Sequence, residues 1–195
     1  MQRRTFDKLL VSAGVLFAVV LVVAGFLLMW ARSFSYDNVR TQLEEQKISF
    51  PAKSAMSPEE LKDATLVKYA GQKVLDGRQA EVFANHYIAR HLKGVANGMT
   101  YSEASDASRA NPSDTKLAGQ VQTLFRGETL RGLLLEAYGF WKFGQIAGWA
   151  MWGAFSGAVL MLVLVGLGLW HASRVPEEAA VGEVHHPSIG QPVTV

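Results

Sequence analysis

The sequence predicts an all-α membrane protein, with two transmembrane helices bracketing a small α-helical extramembrane domain. Three observations predict it. Residues 9–31 and 143–170 are uncharged and apolar, each longer than the roughly 20 residues needed to cross a bilayer core. All 19 Lys and Arg and all 17 Asp and Glu lie outside those stretches. The segment between them, residues 32–142, places its apolar residues at helical spacing and shows little alternation of period two. A composition of 49% hydrophobic residues with net charge +2 would suit an ordinary soluble domain, so the distribution decides the reading.

Residues 1–8 read as a short cytoplasmic N-terminus carrying Arg3, Arg4, Asp7 and Lys8. Transmembrane helix 1, residues 9–31, is too long for the 7–15-residue apolar region of a secretory leader. No small-x-small cleavage site follows; Trp30-Ala31-Arg32-Ser33 is a poor candidate. At 1.5 Å per residue the stretch reaches roughly 34 Å, enough to span with slight tilt. The reading is therefore an uncleaved anchor.

Residues 32–142 are expected to form the helical extracytoplasmic domain. The first helix continues through Val39 and Leu43 and breaks before Pro51, because proline disfavours helix at the preceding residue. Ser57-Pro58-Glu59-Glu60 is a helix start with a capping serine, proline at the first helical position and an acid at the third. A helix over about 76–93 is expected from the spacing of Val82, Phe83, Tyr87, Ile88 and Leu92, ending at Gly94. Thr100 with Glu103 forms a second capping box. Asn111-Pro112-Ser113-Asp114 opens the longest helix outside the spans, with Leu117, Val121, Leu124 and Phe125 as its apolar stripe. This helix can run, with a bend at Gly139, into the second span.

Transmembrane helix 2, residues 143–170, would extend roughly 42 Å. Trp141, Trp149 and Trp152 mark one interface and Trp170 the other, where indoles are favoured. Residues 171–195, rich in Pro, Gly and Val, read as a disordered cytoplasmic tail. His185-His186 lies there, and two adjacent histidines rarely complete a metal site. Two crossings put both termini on one side. The first helix usually sets orientation, and long loops cross largely regardless of charge, so both termini are placed in the cytoplasm at the plasma membrane.

The spans carry no ionisable residue, which argues against an ion or proton pathway. Gly144 with Gly148, and Gly153 with Gly157, stand one turn apart, and Gly14 with Ala18 offers a matching pair on the first span. Missing side chains let backbones approach and dispersion contacts accumulate. The partner of these small residues is the other span, a second copy, or another membrane protein; a role-free abundance of glycine is the remaining alternative.

The function classes narrow by exclusion. Residues 32–142 hold 15 Lys and Arg against 13 Asp and Glu, which gives no basic footprint for nucleic acid. The absence of cysteine excludes disulfides, thiolate metal sites and a cysteine nucleophile. His86 and His91 are separated by roughly 140° around a regular helix, so they make no i, i+4 ligand pair. Gly71 and Gly77 bracket a turn without forming a phosphate loop, and Ser102, Ser105 and Ser108 have no base placed beside them. No catalytic residue, metal ligand or cofactor is assigned. Arg126, Glu128, Arg131 and Glu136 form a charged cluster within an apolar helix, a candidate partner surface.

The runs Thr115-Lys116-Leu117-Ala118-Gly119-Gln120-Val121 through Leu135, Gln79-Ala80-Glu81-Val82-Phe83-Ala84-Asn85-His86 and Arg4-Thr5-Phe6-Asp7-Lys8 resemble blocks in two-pass membrane proteins of actinobacteria, a family of unknown function. Some members bear the name aromatic ring-opening dioxygenase. Extradiol ring opening needs an open iron site, commonly two histidines and a carboxylate, and no such trio can be assigned in this sequence. The resemblance implies an actinobacterial envelope protein. The expected role is a noncatalytic accessory or scaffold whose outer helices meet a partner; a sensor or ligand-binding module is the alternative, and a membrane-bound metalloenzyme using the histidines comes third.

Overall fold

The structure, a computed structural model, describes residues 3–174. The tail from residue 175, with His185 and His186, lies outside the described residues. The chain is almost entirely helical, and no strand occurs among the described residues; Ser49 and Lys73 form one isolated antiparallel bridge. Among the described residues seven α-helices follow in order: α1 (Arg3–Gln46), α2 (Pro58–Leu61), α3 (Ala64–Val67), α4 (Gly77–Val82), α5 (Ala89–Lys93), α6 (Tyr101–Ala110) and α7 (Thr115–Ala172). A π-helical segment, Phe83–Ile88, joins α4 to α5.

Neither long helix breaks at 31/32 or 142/143, where no proline stands. α1 ends only at Gln46, and α7 is one helix through Gly139. His171 and Ala172 also belong to α7. The Ser173 hydroxyl caps that end by donating to the Trp170 carbonyl at 2.7 Å.

Contacts divide the chain into two compact units. The first combines Met1–Leu27 with Ala150–Val195. Here small residues of one helix meet large residues of the other. A Cβ on Gly14 would stand 2.7 Å from Val165, one on Gly25 2.6 Å from the Phe155 ring, and one on Gly157 3.4 Å from Leu21. Ala18 and Ala158 are buried, and Phe26 meets Phe155 edge-on at 5.4 Å. A Cβ on Gly153 would meet nothing within 4 Å, so this glycine takes no part in the pairing.

The second unit is Leu28–Trp149. Its core joins Val39 and Leu43 of α1, Leu124 and Leu134 of α7, and Phe50, Leu66, Val74, Val82, Phe83 and Ile88 from the segments between. α1 and α7 approach closely at Ser35, whose buried hydroxyl donates to the Phe140 carbonyl at 2.6 Å. Gly144, one turn on, makes the approach possible: a Cβ there would stand 2.9 Å from both Ser35 Oγ and Tyr36 Cε1. Gly77 opens α4 against Trp141, where an added Cβ would lie 2.4 Å from the tryptophan Cβ. The short helices are held by side-chain caps. Ser57 with Glu60 and Thr100 with Glu103 form both halves of a capping box, and Asp114 accepts from the Leu117 N–H at the head of α7.

Gly144→Val is expected to cost about 1–3 kcal/mol through overpacking, seen as a lower Tm for the detergent-solubilised protein. Gly153→Ala, at an uncontacted helix position, is expected to leave Tm unchanged or raise it by the equivalent of about 0.5–1 kcal/mol. Equal Tm values for wild type and Gly144→Val would remove the close approach from the fold.

Candidate functional site

Polar side chains gather at two places in the second unit. The first is where α2 and α3 face the π-helical segment and α5. Asp63 caps α3: its Oδ1 accepts the N–H groups of Thr65 and Leu66 at 3.1 and 3.2 Å. Its Oδ2 accepts from His86 Nδ1 at 2.8 Å and from Arg90 Nη2 at 2.7 Å. Arg90 also donates through Nη1 to the Glu59 carbonyl at 2.7 Å. Burial disfavours the charged Asp63. The hydrogen bonds from His86 and the Leu66 N–H, with the charges of His86 and Arg90, outweigh that and hold its carboxyl below the ordinary value.

Glu60, buried one turn away, accepts the Ser57 N–H at 2.7 Å through Oε2. That backbone bond, against the opposing effect of burial and with help from the Ser57 hydroxyl, His91 and Arg90, holds the Glu60 carboxyl below its ordinary value. Its Oε1 is buried without a hydrogen-bond partner among the described residues. His91 Nε2 lies 3.7 Å from it, while His91 Nδ1 donates to the Tyr87 carbonyl at 2.9 Å.

The two histidines thus reach acids on one neighbouring segment, His86 to Asp63 and His91 to Glu60. A regular helix would separate five-apart residues widely; the i→i+5 register of the π segment changes that spacing. Among the described residues no three His, Asp or Glu side chains come together as a metal-ligand group. Both oxygens of Asp63 are occupied, so this carboxylate fastens α3 to α5 and has no free lone pair aimed at a reactant.

The second place is a hollow of about 470 Å³, with Asn85, Lys93, Thr100, Glu128 and Arg131 on its polar side and Leu92 and Leu124 beneath. Arg131 donates to Glu128 at 3.3 Å and to Asn85 Oδ1 at 3.1 Å. Its buried Nε has no acceptor among the described residues. Asn85 passes the chain on to Glu81 at 3.1 Å. The hollow is lined by two cations, Lys93 and Arg131, and one carboxylate, Glu128.

The four charged residues expected to form one partner surface do not share one. Arg131 and Glu128 meet in the hollow; Arg126 is exposed without a bonded partner among the described residues, and Glu136 lines a separate groove of about 350 Å³ with Asn38 and Gln42. Helical geometry explains this, since residues 131 and 136 point roughly 140° apart. Of the six packing residues, Gly14, Ala18 and Gly157 sit at the helix pair of the first unit, Gly144 and Gly148 pack on α1 residues in the second, and Gly153 is open. Sequence reasoning misses the grouping of Asp63, Glu60 and Arg90. The legible sign is Asp63 standing as a cap before an apolar turn, with His86 and Arg90 four apart on one face.

Comparison with known proteins finds no matching family model, no matching curated protein and no matching solved structure.

A carboxylate whose folded-state pKa is lowered adds stability that is complete above its unfolded value, near 4, and is lost as pH falls through the folded value. Asp63→Asn keeps the cap, since asparagine caps as well as aspartate, but removes the charge facing His86 and Arg90. Both partners are 34% exposed, so the loss at neutral pH is expected to be about 1 kcal/mol. Thermal unfolding from neutral pH down through the region below pH 4 should show the gap between wild type and variant closing. A gap that fails to close as the pH falls below 4 would contradict the ion-pair account.

Proposed function

We propose that this chain is a two-span protein of the plasma membrane, with residues 32–142 outside the cytoplasm as a helical head and both termini inside. Its role in this reading is that of a noncatalytic envelope accessory or scaffold. The observation that carries it is the exposed apolar surface of α1 and α7. Both are long and apolar enough to cross a membrane, and only 11% of the most apolar window of each is buried. Leu9, Leu16, Phe17, Val23 and Leu27 on α1, and Leu160, Val163, Leu167 and Leu169 on α7, are more than half exposed. Water is a poor solvent for such a surface, at about 25 cal/mol per Å², and lipid is a good one.

The head supports the scaffold part of the reading. Leu28–Trp149 has a core of its own, and Asp63, the residue best placed for acid–base work, is fully bonded. Tyr101 and Phe125 pair at 5.7 Å on its surface while remaining 40% and 50% exposed, an aromatic patch of the type that anchors partner contacts. The candidate partners are a membrane protein or a second copy; the near-balance of 15 Lys and Arg against 13 Asp and Glu in residues 32–142 argues against nucleic acid. The sequence resemblance to two-pass actinobacterial proteins agrees with an envelope setting. The hollow at Arg131 favours the second reading, a ligand-binding module, and ligand-dependent thermal stabilisation that vanishes in Arg131→Gln would select it.

The absence of cysteine makes single-cysteine labelling clean. Ser102→Cys, on exposed α6 surface, is expected to react with a membrane-impermeant maleimide in intact cells. Ser173→Cys is expected to react only after permeabilisation. The opposite pattern reverses the orientation, and release of the protein by alkaline carbonate overturns the membrane reading.

A further inference from the structure

The first charged residue beyond each apolar stretch is a cation, Arg32 after 9–31 and Lys142 before 143–170. The second unit brings both to one aromatic cluster. The Arg32 guanidinium lies 5.4 Å from the centre of the Tyr36 ring. Tyr36 stacks against Trp141 at 6.0 Å, and Tyr138 stacks against the same indole at 6.2 Å. The Lys142 ammonium lies 5.9 Å from the Tyr138 and Trp141 rings. Gly148 makes room for the arginine, whose Cδ passes 3.1 Å from where a Cβ at 148 would stand. Gln145 Oε1 accepts from Lys142 at 2.9 Å and fixes the ammonium.

Neither cation forms an ion pair with a carboxylate among the described residues. The acids of the adjoining turns line other surfaces: Asp37 shares a hollow with Trp30 and Phe34, and Glu136 shares a groove with Asn38 and Gln42. Ring faces attract both cations but carry no net charge, so the two cations border one aromatic cluster with neither matched by an ion-paired carboxylate among the described residues. Phe143 and Trp149 beside them are 69% and 79% exposed, which continues the apolar surface directly from the cluster.

Indole and phenol rings favour the depth of lipid headgroups. A guanidinium presents forked donors that match phosphate oxygens, and an ammonium adds a point charge. We infer that Arg32 and Lys142, framed by Tyr36, Tyr138 and Trp141, each bind phosphate groups of anionic phospholipid headgroups at this boundary. The inference rests on the membrane reading above. A zwitterionic headgroup brings its own cation and leaves the site's charge uncompensated, so the net negative lipid is preferred.

The test uses the full chain in neutral detergent, with Tm read after adding phosphatidylglycerol, phosphatidylcholine or inorganic phosphate. Phosphatidylglycerol is expected to raise Tm more than phosphatidylcholine does, and inorganic phosphate to leave it unchanged. Arg32→Gln with Lys142→Gln is expected to keep its lipid-free Tm and lose the phosphatidylglycerol increment, with apparent lipid affinity falling roughly fivefold per charge. Should the double variant fail to fold, Lys142→Gln alone, at an exposed position, reads the single-charge loss. Equal increments from the two lipids, or an undiminished increment in the variants, overturns the site. A rise with inorganic phosphate matching that with phosphatidylglycerol overturns the lipid as its occupant. Reconstitution into phosphatidylcholine vesicles, scored by carbonate resistance, reads the membrane assignment separately: wild-type protein that inserts there yet ignores phosphatidylglycerol loses only this inference.

Discussion

The close approach of α1 and α7 at Ser35 is the constraint on which the second unit depends. A serine hydroxyl reaches the Phe140 carbonyl, an oxygen that in a regular helix already accepts the N–H of residue 144. That shared acceptor is reachable only because residue 144 is glycine and leaves the groove beside it open. Once the two long helices are fixed there, Val39 and Leu43 face Leu124 and Leu134 across a common core. The intervening helices then have a surface to cover.

Those intervening helices could not stand alone. α2 and α3 have four residues each, α4 six and α5 five, far below the dozen or so at which an isolated helix becomes even marginal. They are held by end caps, by tertiary packing, and by ties such as Asp63 to Arg90. The polar cluster is accordingly concentrated where helical cooperativity is weakest. This is the physical reason a bonded aspartate, a buried glutamate and two histidines crowd in among the shortest helices.

Much of the architecture is legible in sequence because it is local. The two apolar runs announce α1 and α7, and the boxes at Ser57–Glu60 and Thr100–Glu103 mark helix starts with residues three apart. The longer-range features are not legible. Gly14 is readable as a packing residue, but its neighbour Val165 is not, since nothing local in either run specifies the register between them. The π segment is invisible because Val82, Phe83, Tyr87 and Ile88 fit ordinary helical spacing equally well; their hydrophobic pattern does not report an i→i+5 ladder. The pairing of His86 with Asp63 escapes too, because it joins residues 23 apart in sequence on different elements. The charged residues of α7 look like one group in sequence and are not one in space, because nearness along a helix is not nearness on a face.

The Ser35 hydrogen bond also sets an order of events. Its partners are 105 residues apart, and Val39 and Leu43 likewise wait for Leu124 and Leu134. Contacts of such separation slow folding, because loop closure precedes any reward. A chain emerging from the ribosome at about 5–20 residues per second spends several seconds with α1 complete and its inner face uncovered. During that interval the short helices have caps but no core. The second unit is therefore expected to be most open to proteases and aggregation before Phe140 is made, and α7, the last part of the core to appear, to end that exposure.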